Sequence, residues 1–214
     1  LGLANDFGSQ NLNGLRGKVS IFARNHAGTA DIYDYVYPSR RWMGHYEKMA
    51  AAACERVICA STIHRELMAQ QDITNVEVLG LPFDANEVRS WHKPVSKDER
   101  VERVLFASRW DWEKQPQLFI QLAAQARDMR GDFGSCEFAV ATGKKTLTSN
   151  RPELVVMARE AEAAGIIKIY EGLSKADYYR LVATSVAQFN CALQDFVSYT
   201  LLEASAFGTP TVAP

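Results

Sequence analysis

The sequence predicts an α/β protein made of two units, each built on a parallel sheet. Three observations carry this. Short apolar, β-rich runs alternate with helix-forming stretches along most of the 214 residues, the order that yields parallel strands joined by right-handed crossovers. The alternation stops over Phe83 to Glu102, where Pro94 and many charges sit without a clear apolar period, and then restarts. Beyond that break the helices are well punctuated by proline, serine and glycine. The reading is therefore a first unit over residues 1–82, an interdomain linker over 83–101 and a second unit over 102–214.

In the first unit, Val19 to Arg24 and Arg56 to Ser61 read as strands, with helix formers from Pro38 to Cys54 between them. Ser61 is a natural N-cap for a second helix over Ile63 to Gln71, and Val76 to Leu81 makes a third strand. In the second unit, Val104 to Ser108 is a buried strand and Pro116 opens a helix running to about Arg130. Cys136 to Gly143 is the next strand, and Pro152 opens a helix that Gly165 closes. A strand from Ile166 leads to a helix capped by Ser174, then a strand over Val186 to Ala192. A helix from about Ser198 to Phe207 and the opening of a fifth strand complete the pattern.

Composition narrows the function classes. With 24 Lys and Arg against 25 Asp and Glu, the net charge is -1, so no whole-surface field suits nucleic acid. The four cysteines, Cys54, Cys59, Cys136 and Cys191, form no CxxC pair and no zinc spacing with histidine, and they read as buried thiols of a reducing, cytoplasmic setting. No run is long enough to span a membrane and no signal peptide is visible. The chain starts at Leu1 and stops at Pro214 just after a strand opens, which reads as a piece of a longer protein with both units incomplete.

Ligands of open parallel sheets bind beyond the carboxyl ends of the strands. Arg109 follows the strand that ends at Ser108, and Lys114 precedes the helix opened by Pro116. Two cations beside a helix N-terminus suit a departing diphosphate, arginine as a fork and lysine as a point charge. A solvated cluster with Asp111 and Glu113 explains the same residues. Asp195 follows the strand ending at Ala192, and Glu203 lies in the next helix; a sugar and a ribose suit such acids, as do a surface turn and a solvated helix face.

The segments FASRWDWEKQP and EGLSKADYYRLVATSVAQFNCALQDFVSYTLLEASAFGTPTVAP resemble the C-terminal domain of family 4 glycosyltransferases, retaining enzymes of GT-B fold. That family has a strand, Arg, four residues and Lys, then an acid, seven residues, Glu and Gly-Thr-Pro. Arg109, Lys114, Asp195, Glu203 and Gly208-Thr209-Pro210 stand at those places. The resemblance implies two Rossmann-like domains of GT-B type. It implies that Arg109 and Lys114 bind the diphosphate of a nucleoside diphosphate sugar. Asp195 would meet the transferred sugar, Glu203 the ribose, and the loop Phe196, Val197, Ser198 would offer backbone N–H groups. Neither a metal nor another cofactor is implied. The family usually reads Glu-Gly-Phe-Gly where this chain has Asp195-Phe196-Val197-Ser198, and that departure bears on sugar preference and on turnover.

The segment HYEKMAAAACERVICASTIHRELM resembles the later part of the family's acceptor-side domain, and by the same likeness His26 would face the cleft and help position the reacting centre. A hydrogen-bonded structural histidine is the alternative. Asp31 and Asp34 fit the same cleft or a turn, and Arg40-Arg41 fits a solvated patch or an anionic acceptor. The acceptor itself is open: a saccharide, a lipid-linked sugar at a membrane surface, or a modified RNA nucleoside, since the tail LLEASAFGTPTVAP and the SRW…K segment also resemble the branch that mannosylates a modified nucleoside in tRNA. Open alternatives are a non-catalytic member that binds nucleotide sugar, and a GT-B enzyme of another class such as a sugar-nucleotide epimerase. Phe138 stands where a phosphate-binding GxxxxGK loop needs its first glycine, GDFGS at Gly131 is no dinucleotide fingerprint, and Trp42, Trp91, Trp110 and Trp112 read as packing residues.

Overall fold

Residues 18–26, 28–33, 37, 43–129 and 135–213 are described by the computed structural model; Asp34, Pro38, Arg40, Arg41, Trp42 and Gly131 lie outside them. The chain divides into Leu1–Pro82 with Gln194–Val197, and Phe83–Leu193 with Ser198–Pro214.

The first unit holds β1 (Phe22–Arg24), α1 (Met43–Ala53), β2 (Arg56–Cys59), α2 (Thr62–Ala69) and β3 (Val76–Val78). The strands are parallel in the order β1-β2-β3. Ser61 caps α2 as its sequence position requires, accepting the His64 N–H at 3.3 Å. Asn75 closes the other helix by donating to the Ala51 and Cys54 carbonyls, both at 2.9 Å, at the end where α1 leaves acceptors unpaired. Val57, Cys59, Met68 and Ile73 form the buried centre of this unit.

The second unit holds α3 (Ala85–Trp91), β4 (Val101–Phe106), α4 (Pro116–Asp128), β5 (Glu137–Val140), α5 (Pro152–Ala163), β6 (Lys168–Ile169), α6 (Lys175–Thr184), β7 (Ser185–Phe189), α7 (Tyr199–Ala206) and β8 (Thr211–Val212). All pairs are parallel, in the order β6-β5-β4-β7-β8. Successive strand residues enter different cores, as the two-residue period requires. Phe106, Phe138 and Val140 pack with Phe119 and Ala123 of α4 and Leu154 and Ala158 of α5. Leu105, Ala139 and Ala141 pack with Val88 of α3, Val182 of α6 and Ala204 of α7. Helices thus cover both faces, and full burial of a side chain such as Phe119 contributes about 2 kcal/mol.

One stretch differs from its sequence reading. The stretch over residues 83–101, read as a linker, belongs to the second unit and holds α3 and a 3₁₀ turn at Lys97–Glu99. Asp84 caps α3 by accepting from Asn86 N at 2.8 Å and Glu87 N at 3.1 Å. Arg89 Nε donates to the Ala206 carbonyl of α7 at 2.8 Å, and Lys175 of α6 pairs with Glu87 at 2.9 Å. A seven-residue helix that buries only Val88 has no apolar period to detect.

Candidate functional site

In the second unit, β4 and β7 are neighbours whose onward connections leave for opposite faces: β4 through α4, and β7 through α7. That is the topological switch point of an open parallel sheet, where a crevice opens beyond the strand ends. The two strand exits are bonded together. Leu193 N donates to the Glu113 carbonyl at 2.8 Å, and Cys191 Sγ lies 3.1 Å from the Lys114 carbonyl and 3.2 Å from that of Gln115. Burial pushes the Cys191 thiol up to about 11, so it serves there as a neutral donor and packing group.

Trp110, fully buried, fixes the β4 exit by donating Nε1–H to the Leu154 carbonyl of α5 at 2.9 Å. On either side of it stand Arg109 and Asp111. The Arg109 guanidinium donates through Nη1 to Asp111 Oδ2 and through Nη2 to Glu113 Oε1, both at 2.9 Å. Its side chain is 49% exposed, against 12% and 5% for the two acids, so the cation faces outward with the carboxylates behind it. Burial raises the Glu113 carboxyl above its ordinary value, opposed by Arg109 and by Asn150. Lys114 is buried at the end of a 3₁₀ turn over Trp112–Lys114. Gln115, at φ 48°, then turns the chain into α4 at Pro116.

Beyond β7, Ser198 is the N-cap residue of α7, with Oγ 3.1 Å from Thr200 Oγ1 and 3.4 Å from Asn190 Nδ2. Glu203, half-buried, accepts the Tyr178 hydroxyl at 2.9 Å and the Tyr179 hydroxyl at 3.0 Å. Burial raises its carboxyl, and the two tyrosines and Lys175 oppose that rise. Each carboxylate oxygen has a second lone pair, so Glu203 retains acceptor capacity for further hydroxyls. Arg109, Lys114, Ser198 and Glu203 therefore belong to one unit, at the exits of its adjacent central strands and on the helix that follows.

Asp195, Phe196 and Val197 group with the first unit. Asp195 is exposed. The Phe196 ring stacks on His64, centroids 3.9 Å apart and planes 11° apart, where the family pattern has a glycine-containing loop. His64 is fully buried at the start of α2, and burial lowers its pKa to about 4. His26, exposed just after β1, lies close enough to act on the His64 charge, as does Glu47. Glu47 accepts from Asn25 Nδ2 and, at 3.1 and 2.6 Å, from Thr29 N and Oγ1, which ties the β1 exit to α1. Asp31 accepts from Tyr33 N at 2.9 Å, as a turn residue does. Nothing in the sequence singles out His64 as functional, although its place three residues after a serine cap is visible there. Asn150, which contacts both acids behind Arg109, had no sequence signal.

No protein-family model and no curated protein sequence matches the chain. Solved structures do. A variant of S. aureus TarM, in complex with fondaparinux, α-GlcNAc-glycerol and UDP, superposes with a TM-score of 0.65 at 12% identity over 91% of this chain and 36% of its own. HepE of Anabaena, in complex with UDP and glucose, gives 0.62 at 16% identity over 92% and 53%. A UDP-forming α,α-trehalose-phosphate synthase from Burkholderia xenovorans gives 0.64 at 12% identity over 97% and 55%. The chain has the GT-B fold. It spans between about a third and just over half the length of these relatives. At such identities the likeness is one of fold, and the residues above carry any statement about chemistry. Among the described residues no cluster of His, Cys, Asp and Glu could hold a metal ion, and no helix is long and apolar enough to cross a membrane.

Proposed function

We propose that this chain carries the nucleoside diphosphate sugar site of a retaining, family 4-like glycosyltransferase. The observation that supports it best is the bonded pair of exits from β4 and β7 at the switch point, with Arg109 and Lys114 on one and Ser198 and Glu203 beyond the other. In this reading Arg109 and Lys114 bind the diphosphate and stabilise its growing negative charge as it leaves, a part that a divalent metal plays elsewhere. Glu203, held by Tyr178 and Tyr179, accepts the ribose hydroxyls. Ser198 and the backbone of Phe196 and Val197 meet the sugar and phosphate, Asp195 the transferred sugar, and His26 the reacting centre. The bond between the anomeric carbon and the phosphate oxygen breaks, the acceptor oxygen bonds to that carbon on the same face, and its proton passes to the leaving phosphate. The acceptor is a saccharide, a lipid-linked sugar or a modified nucleoside.

The test is release of the nucleoside diphosphate from UDP-glucose, UDP-GlcNAc and GDP-mannose with and without candidate acceptors. Acceptor-stimulated release that falls about a hundredfold or more in Arg109→Ala is expected; interconversion of the sugar nucleotide without release would instead identify an epimerase. A binding-only member is the second reading, favoured by Phe196, which packs on His64 where the family loop has glycine. It predicts nucleotide binding that weakens in Arg109→Ala without turnover of any donor.

A further inference from the structure

Two buried carboxylates hold Arg109, and a single residue from another strand exit holds both of them, one through its backbone and one through its side chain. Asn150, in the loop between β5 and α5, donates its backbone N–H to Asp111 Oδ1 at 2.7 Å and its Nδ2–H to Glu113 Oε2 at 3.1 Å. Its Oδ1 accepts the N–H of Trp112, the residue between the two acids, at 3.1 Å. The amide therefore uses both ends and its backbone on one short segment. Asp111 and Glu113 spend their other oxygens on Arg109, one on each terminal nitrogen. Bonds on two different nitrogens fix the plane of a guanidinium as well as its position. Each carboxylate is thus held on one oxygen by Asn150 and holds the guanidinium with the other.

We propose that Asn150 is a positioning residue for Arg109, aiming the guanidinium at a nucleoside diphosphate through Asp111 and Glu113; this rests on the donor-site reading above. An arginine whose plane is set before the ligand arrives loses less freedom on binding, and bidentate contact to phosphate depends on that plane. Asn150→Ala is the informative change because it alters no charge beside the site. It removes the Nδ2 bond to Glu113 and the Oδ1 bond to Trp112 while leaving Arg109, Asp111 and Glu113 in place.

The experiment is a calorimetric double-mutant cycle with UDP on the whole chain: the unchanged protein, Asn150→Ala, Arg109→Ala and the double variant. Asn150→Ala is expected to weaken UDP binding about tenfold when Arg109 is present and less than twofold when it is absent. Equal losses in both backgrounds, or no loss in the first, overturn the proposal, because a loop that merely supports the fold acts regardless of Arg109. Asn150→Asp, which keeps the acceptor for Trp112 but sets a carboxylate against Glu113, is expected to lose at least as much. If the unchanged protein binds no nucleoside diphosphate, the donor-site reading fails, and the positioning claim is read from NMR of the Arg109 guanidinium N–H groups in the free protein. Slowly exchanging signals that vanish in Asn150→Ala support it; signals that persist in that variant overturn it.

Discussion

Replacing Arg100 tests how the second unit holds the helix that carries Ser198 and Glu203. Arg100 sits just before β4 and makes no ion pair among the described residues; its guanidinium gathers oxygens from the far ends of α6 and α7. Nη1 donates to the Ala183 carbonyl at 3.1 Å, the Ser185 carbonyl at 2.9 Å and Thr209 Oγ1 at 2.8 Å. Nη2 donates to the Phe207 and Gly208 carbonyls at 3.2 and 2.9 Å. These include orphan carbonyls of two helix C-termini, where a cation also meets the negative end of each dipole. Charge-assisted bonds contribute about 1.5–3 kcal/mol singly. Five on one group are far from additive, and the exposed acceptors regain water when it is removed. Arg100→Ala should therefore cost about 3 kcal/mol, a large share of a stability of about 5–15 kcal/mol. By calorimetry this appears as a fall of roughly 10 °C in the unfolding transition that includes the second unit. Arg100→Lys, which keeps the charge but not the fork, should recover less than half. A loss below about 1 kcal/mol in Arg100→Ala would instead mean that water replaces the guanidinium at almost no cost, and that the five bonds do not hold the two helix ends.

Three further outcomes are expected. Gly28→Ala places a Cβ on Glu47 Oε1, so Glu47 must swing away and release Asn25 and Thr29; denaturant unfolding of the first unit should show a loss of about 1–3 kcal/mol. Gln115→Gly relieves a left-handed residue at φ 48° and should leave stability unchanged or raise it by up to about 1 kcal/mol in thermal unfolding. Phe196→Gly should uncover His64, whose pKa then climbs from about 4 towards its ordinary 6.5, as an NMR titration of the imidazole would report. Because the folded state lowers that pKa, the stability that neutral His64 supports is present above 6.5 and is lost as the pH falls towards 4. Phe196→Gly should shrink that acid-side loss.

The elements legible in the sequence were those decided by contacts within a few residues. Pro116 and Pro152 open helices because each fixes φ and lacks an N–H that the first turn would leave unpaired. Ser61 and Ser174 accept N–H groups from residues three positions on. Gly165 and Gly208, at φ 68° and 66°, end α5 and α7 in the left-handed region. The pairing of Arg109 with Asp111 and Glu113 belongs with these, since the partners lie two and four residues away. All are short-range chemistry, and the chain itself specifies them.

Tertiary structure decided what distant segments share. That β4 lies beside β7, and so creates the switch point, follows from strand order and not from any residue's preference. Asn150 reaches Asp111 and Glu113 across 39 and 37 residues, and Arg100 reaches Gly208 across 108. α3 forms because α6 and α7 receive Val88 and Arg89, a gain invisible in its own seven residues. Local chemistry along the chain therefore sets the α/β alternation, the helix ends and the residue types a diphosphate would need. Only folding decided which of those residues meet, because burial and hydrogen bonding act between neighbours in space whatever their separation along the chain.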